Sequence, residues 1–109
     1  MNVVVKLEAN IQWHTRPSTT SARWIGVCEP MNLSMEAETL DELHSVIEET
    51  MQLVLTDLLR ENELQEYLEE HGWRASNLDS ATVNDDVAFD VPWQMITERP
   101  PLDSERRVN

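Results

Sequence analysis

The stretch Val3-Val-Val-Lys-Leu-Glu-Ala-Asn-Ile-Gln-Trp13 decides the fold class of this chain. From Val3 to Trp13 every second residue is apolar, and with the exception of Val4 the residues between them are polar or charged. Alternation with a period of two is typical of a β-strand that buries one face. We therefore predict one long strand over residues 3–13. A polar hairpin loop is expected over residues 14–21, where Pro17 and several hydroxyl residues leave no apolar period.

Two shorter strands and a long helix are predicted next. Residues 23–28 are apolar, aromatic or β-branched up to Pro30, and residues 33–37 alternate again, as strands do. Thr39 and Glu42 have the spacing of a capping box, in which each side chain binds a backbone N–H at a helix start. A helix is therefore expected from residue 40 to about residue 60. Its apolar stripe recurs at steps of three and four, at Leu40, Leu43, Ile47, Met51, Val54 and Leu58.

The second half of the chain contains a shorter helix and a closing strand. Residues 61–72 predict a helix that Gly72 ends in the left-handed conformation, with Trp73 packed on Leu68 as in a Schellman motif. Residues 76–86 are polar and aperiodic, so a loop is expected there. Residues 87–95 alternate again, and Pro92 within them has no N–H to donate. The closing strand should therefore lie at a sheet edge or bulge at Pro92.

These elements predict an α+β fold in the order β-β-β-α-(α)-β. An antiparallel meander of three strands is followed by a helical crossover, which returns the fourth strand to the same sheet. The helices should pack on one face of this four-stranded sheet. A chain of 109 residues fits one domain. We assign residues 1–97 to that domain and residues 98–109 to an extended C-terminal tail.

Composition excludes several functions. The 21 acidic and 8 basic residues give a net charge of -13, so direct binding of nucleic acid is not expected, whereas a basic protein partner is. Two glycines are too few for a glycine-rich phosphate loop, and Cys28 alone can form neither an internal disulfide nor a paired-cysteine zinc site. Signal-peptide and membrane-spanning patterns are not found in the sequence. We therefore expect a cytoplasmic protein without membrane attachment, cofactor or metal.

The acidic charge is concentrated in the helical region. Residues 39–72 carry 10 acidic and 1 basic side chains, so this region could attract a basic protein and accelerate its association. The alternative is a solvated helix face that keeps the protein soluble. The partner-binding residues predicted here are Glu63, Glu66, Glu69 and Glu70.

Tryptophan is the second candidate for partner binding, because it is enriched among interface hot spots. Trp13 and Trp24 lie on regular strand faces and are expected in the core, and Trp73 is expected in the helix stop. Trp93 follows Pro92 on the predicted edge strand, where main-chain groups could accept a partner strand. We predict Trp93 as a partner-binding residue, with core packing as the alternative.

Catalysis is not expected from this sequence. A two-metal nuclease needs several converging carboxylates, and Glu8 is the one acid within the first predicted strand. His44 and Glu48 lie one helical turn apart, but two ligands do not make a metal site, so an exposed pair is expected. Cys28 has no cation or base beside it in sequence and is expected to be a buried, inert thiol.

The segment Trp24-Ile-Gly-Val-Cys-Glu-Pro30, followed by Leu33 and Glu36-Ala-Glu-Thr-Leu-Asp-Glu-Leu43, resembles the HicB-like antitoxin superfamily. That family has a first strand, a strand with the pattern W/Y-V-A/G-x-x-P, a short turn with the pattern L…E-A/G-x-T-x-x-E, and a long helix. The similarity covers residues 3–60, and residues 87–95 fit the closing strand. About 14 residues follow Met95, so the chain resembles a small stand-alone member without the C-terminal DNA-binding domain.

This resemblance implies a partial RNase H-like fold without nuclease activity. It also implies a function, the neutralisation of a small basic ribonuclease toxin by an antitoxin that covers the toxin's active surface. Two other functions stay open. One is a homo-oligomeric structural or adaptor module whose sheet edges pair with themselves, without a toxin partner. The other is an acidic mimic of nucleic acid that blocks a nucleic-acid-binding protein.

Overall fold

Seven strands and two helices make up the part of the chain that the computed structural model describes, residues 2–78 and 86–97. The α+β class is confirmed. In chain order the elements are β1 (Asn2–Glu8), β2 (Ile11–Pro17), β3 (Trp24–Cys28), β4 (Leu33–Ala37), α1 (Leu40–Arg60), α2 (Leu64–His71), β5 (Arg74–Ser76), β6 (Asp86–Asp90) and β7 (Trp93–Thr97).

The strands form two sheets, so the prediction of a single four-stranded sheet is wrong. The larger sheet has the order β4-β3-β2-β7, in which β2, β3 and β4 are an antiparallel meander and β7 lies parallel to β2. The smaller sheet has the order β5-β1-β6, with β6 parallel and β5 antiparallel to β1. The closing segment is therefore parallel to the first segment in both sheets, and it lies at the edge of each.

Both long strands predicted from alternation are in fact broken, and they break opposite each other. Lys6 pairs with Asp90 and Ile11 pairs with Trp93, so four residues of the first segment face two residues of the second. The unequal lengths cannot be paired, and the sheet divides there. Because the difference is an even number of residues, side chains keep their faces across the break. Apolar and polar residues therefore keep alternating along the sequence through a position where the hydrogen bonds between the strands are interrupted.

The polar loop predicted over residues 14–21 is partly wrong. Strand β2 continues to Pro17, which pairs with Trp24, and the reversal is confined to the residues between them. Thr15 is fully buried, and its hydroxyl donates to the carbonyl oxygen of Ile96 at 3.3 Å. A buried hydroxyl is tolerated when it has such a partner. The polar composition of residues 14–17 gave no sign of this strand, which pairs with the adjacent β3 and with β7, distant in the sequence.

Helix α1 begins as predicted and covers the larger sheet. The Thr39 side chain accepts from the Glu42 N–H at 3.1 Å and the Glu42 carboxylate accepts from the Thr39 N–H at 3.1 Å, which confirms the capping box. The helix approaches the sheet closely at Gly26, where an added Cβ would lie 3.4 Å from the Leu43 and Ile47 side chains. The fully buried Trp13 donates its indole N–H to the sulfur of Met51 at 3.4 Å.

Two clusters of buried side chains form the core. One lies between α1 and the larger sheet and includes Ile11, Trp13 and Ile47. The other lies beneath the end of α1 and α2, against β1 and β6, and includes Val5, Leu64 and Phe89. The predicted core positions of Trp13, Leu43, Ile47 and Met51 are thus confirmed. The other predicted stripe residues, Leu40, Val54 and Leu58, are only partly buried, and Leu55, which was not predicted, is fully buried. Trp24 packs partly buried against the first cluster.

Helix α2 ends as predicted. Gly72 has φ +72°, its N–H donates to the Glu69 carbonyl, and the Trp73 N–H donates to the Leu68 carbonyl at 2.8 Å. These two bonds define a Schellman motif. The chain then forms β5, which the sequence did not predict. Most of the predicted loop, residues 79–85, and the predicted tail, residues 98–109, lie outside the described residues.

Candidate protein-binding surface

The four predicted glutamates lie together on the solvent side of α2. Leu64 and Leu68 are buried and fix that face of the helix against the second core cluster. Helical geometry then turns the intervening positions outward. Glu63, directly before the helix, and Glu66, Glu69 and Glu70 within it are all exposed.

This surface, which we call the α2 acidic surface (Glu63, Glu66, Glu69 and Glu70), keeps most of its negative charge uncompensated. The ion pairs found within residues 2–78 and 86–97 involve other acids, namely Glu36, Glu38, Glu48 and Asp57. Glu69 accepts a hydrogen bond from Gln65 at 3.2 Å, which adds no opposite charge. Exposed like charges at this spacing repel each other weakly and attract a cationic surface over a Debye length.

The C-terminal end of α2 is held against the larger sheet. His71 lies with Nδ1 2.8 Å from the Tyr67 carbonyl oxygen and Nε2 2.6 Å from the Pro30 carbonyl oxygen, in the turn between β3 and β4. The ring also stacks on Trp73, with centroids 4.5 Å apart. These contacts fix the orientation in which α2 presents its acids.

Beneath this junction lie a thiol and a phenol. Cys28 is fully buried, and burial raises the pKa of its thiol while a backbone hydrogen bond from Met31 opposes the rise. Burial also raises the pKa of the Tyr67 hydroxyl, and the nearby Cys28 raises it further. The Tyr67 hydroxyl is buried and has no hydrogen-bond partner in the described part of the chain. Thiolate chemistry needs a lowered pKa, so the position of Cys28 favours a structural thiol.

A groove of about 820 Å³ lies beside the α2 acidic surface and was not predicted from the sequence. Its walls combine apolar side chains, such as Leu68 and Trp73, with polar ones, such as Glu69, Arg74 and Asn77. The groove depends on the turn at Gly72 and on β5, whose three residues have no apolar period. A partly apolar lining next to exposed acids suits a basic partner that also inserts an apolar side chain.

Trp93 lies on a different element from the glutamates. It begins β7, is partly exposed, and packs against the first core cluster, whereas α2 packs against the second. Its indole ring lies 4.8 Å from the His44 ring of α1. His44 in turn lies 3.6 Å from Glu48, and both side chains are about half exposed, so they form the expected surface pair. The structure therefore divides the predicted binding residues between two surfaces.

The edge of β6 is occupied by a side chain. The Gln52 amide of α1 accepts a hydrogen bond from the Phe89 N–H at 3.1 Å and donates one to the Phe89 carbonyl oxygen at 2.5 Å. One amide thus makes the pair of bonds that a neighbouring strand makes with a residue of a ladder. The sequence contained no local signal for this contact, because it joins residues far apart in the chain.

No cluster of three or more histidine, cysteine or acidic side chains that could hold a metal ion occurs among residues 2–78 and 86–97. Glu8 of β1 is exposed, and Glu42 is engaged in the helix cap. Neither helix in the described chain is both long and apolar enough to cross a lipid bilayer.

Comparison with known protein families, with curated proteins and with solved structures found no match to this chain.

Proposed function

We propose that this protein is a non-catalytic binding module that works like an antitoxin. It neutralises a small basic ribonuclease by covering the surface on which that enzyme acts. The observation that carries the proposal is the α2 acidic surface. Its four glutamates are exposed and have no cationic partner among the described residues. They lie on α2 or directly before it, and His71 contacts hold the C-terminal end of that helix in place.

The strand arrangement supports the proposal. The resemblance to HicB-like antitoxins implies a meander of three strands, a helix and a closing strand that returns to the sheet. Strands β2, β3 and β4, helix α1 and strand β7 follow that order, with β7 parallel to β2. This arrangement is compatible with a partial RNase H-like fold. Strands β1, β5 and β6 are then an additional sheet beside it.

Electrostatics supply the mechanism of recognition. A basic ribonuclease binds RNA through cationic side chains, and an acidic protein surface can occupy the same side chains in place of phosphates. Steering by exposed charges raises the association rate more than the final affinity, and it weakens as salt is added. The groove beside Glu69 offers apolar contact area that charge alone does not provide.

Affinity capture with charge-reversed variants tests this function. Tagged protein is used to capture partners from its native host lysate, alongside a variant in which Glu63, Glu66, Glu69 and Glu70 are replaced by lysine. A matched control places the same four charge reversals on exposed acids elsewhere, at Glu8, Glu29, Glu49 and Asp90. The proposal expects a small basic protein that binds the wild type and the control and is lost from the α2 variant. Equal retention by all three proteins contradicts it.

A further inference from the structure

The groove beside the α2 acidic surface lies between helix α2 and the chain that follows Gly72. Leu68 and Glu69 line it from α2, and Trp73 and Ala75 line it from the segment that leads into β5. Its volume of about 820 Å³ falls within the range of about 300–1,000 Å³ that is typical of sites for drug-sized ligands. A ligand of that size is comparable to a few amino-acid residues, so the groove can hold a short segment of a partner protein.

Negative charge dominates the rim of this groove. Glu69 lines the groove and belongs to the α2 acidic surface. Arg74 is the one cationic residue among the described residues that line it, but the β1–β5 register places Arg74 opposite Glu8. Both lie on the exposed face of the smaller sheet, because Leu7 and Ala75, the next pair in that register, pack against the second core cluster. Glu8 is therefore placed to offset the charge of Arg74, and the Glu69 carboxylate stays available to a cation in the groove.

The Trp73 indole is held in a fixed position at the groove. The His71 ring stacks on it with centroids 4.5 Å apart, and the Tyr67 ring meets it edge-on with centroids 6.1 Å apart. Trp73 also packs against both core clusters, although its side chain is only partly buried. A side chain that is already ordered loses little conformational entropy when a ligand packs on it. The indole ring attracts cations, and it stacks well with the planar guanidinium of arginine.

We propose that this groove binds a short basic segment of the partner protein, and that an arginine of that segment contacts both Glu69 and Trp73. Charge complementarity selects this occupant, because an acidic or neutral segment gains nothing from the four glutamates beside the groove. The hydrocarbon stem of arginine packs on apolar surface such as Leu68, while its guanidinium stacks on an indole and binds a carboxylate through two parallel hydrogen bonds. The ammonium of lysine can do neither of the last two. The inference rests on the proposed function, in which the partner is basic, and adds the site that holds the partner.

A synthetic peptide tests the groove without the partner. The probe is Leu-Arg-Val-Arg-Leu with blocked termini, titrated into the full chain while nuclear magnetic resonance follows the backbone amides and the tryptophan indoles. A dissociation constant of about 0.1–1 mM is expected from a few charge-assisted contacts. The Trp73 indole and the Leu68 and Glu69 amides should shift most. The same peptide with lysine in place of arginine should bind about threefold more weakly, because it lacks guanidinium stacking.

Gln65→Arg tests the contact with Glu69 and leaves all four glutamates in place. Gln65 lines the groove, and its amide donates to the Glu69 carboxylate at 3.2 Å, so an arginine at this position would occupy that carboxylate from within the chain. Peptide binding should weaken about tenfold. Gln94→Arg is the matched control, because Gln94 is an exposed glutamine on β7 and its replacement changes the net charge equally. The control should weaken binding less than about twofold, and circular dichroism confirms that both variants are folded.

Failure of the groove and failure of the proposed function give different results. No binding of the arginine peptide at about 5 mM overturns the inference, as do largest shifts outside the groove or equal weakening by Gln65→Arg and Gln94→Arg. Equal binding of the lysine peptide overturns the assignment of arginine. A captured basic partner that is lost from the four-lysine variant but retained by Gln65→Arg supports the function and overturns the groove. Peptide binding in the groove without any captured basic partner supports the groove and contradicts the function.

Discussion

Removing the Gln52 amide should destabilise the protein through a single residue of β6. Gln52→Met keeps the length of the side chain and its high helix propensity while deleting both hydrogen bonds to Phe89. Phe89 is 4% exposed, so its backbone groups are poorly placed to bind water instead. Two lost bonds of roughly 1 kcal/mol each, with some cost for the unpaired groups, predict a loss of about 2–3 kcal/mol. For a domain of this size the melting temperature should fall by about 10–15 °C.

Urea unfolding followed by tryptophan fluorescence measures this loss. Gln65→Met is the matched control, because Gln65 is an exposed helical glutamine whose amide donates to the Glu69 side chain. The control should change the free energy of unfolding by less than about 0.5 kcal/mol. If Gln52→Met is no more destabilising than Gln65→Met, the Gln52 amide does not hold β6 in place.

The same variant has a second consequence, because it uncovers the β6 edge. An unprotected edge favours intermolecular strand pairing. Light scattering of Gln52→Met should therefore show more high-order association than the wild type at equal concentration and equal folded fraction. A variant that is destabilised but no more prone to associate would mean that the Gln52 amide stabilises the fold without protecting the β6 edge from association.

Two further predictions concern local structure and pH. Gly72→Ala places a Cβ on a residue in the left-handed conformation at φ +72°, although nothing lies within 4 Å of the added atom. Chemical denaturation should therefore show a loss of about 1 kcal/mol in the free energy of unfolding. An unchanged free energy of unfolding would contradict the helix-stop geometry. The folded state raises the pKa values of the Cys28 thiol and the Tyr67 hydroxyl, so it favours their neutral forms. The stability they contribute is complete below the thiol's ordinary pKa of 9.0 and is lost as pH rises above it. Urea unfolding from about pH 7.5 to about pH 10.5 should show this decline, and Cys28→Ala should make it shallower; an equal slope in that variant would contradict the assignment to Cys28.

The local features of this fold could be predicted because their causes lie within a few residues. Thr39 and Glu42 cap α1 through bonds between neighbours in sequence, and the conformation of Gly72 and its two bonds follow from residues within one turn. Exposure of the α2 glutamates followed from the positions of Leu64 and Leu68. A helical period assigns faces without knowledge of the rest of the molecule.

The features that the sequence did not predict depend on contacts between distant segments. The break between β1 and β2 exists because Val91 and Pro92 are two residues opposite four, which only the paired register reveals. The burial of Thr15 is tolerated because its hydroxyl donates a hydrogen bond to a carbonyl oxygen of β7. Strand β5 has three residues and no apolar period, so only its pairing with β1 defines it.

Neutralisation of a basic ribonuclease by the α2 acidic surface is tested most directly by titrating the captured basic partner with this protein while cleavage of an RNA substrate is followed. Cleavage is expected to stop near one equivalent, and the variant with lysine at positions 63, 66, 69 and 70 is expected to require a large excess at low salt. A partner that does not cleave RNA, or whose cleavage is unchanged at saturating protein, would contradict the proposed function.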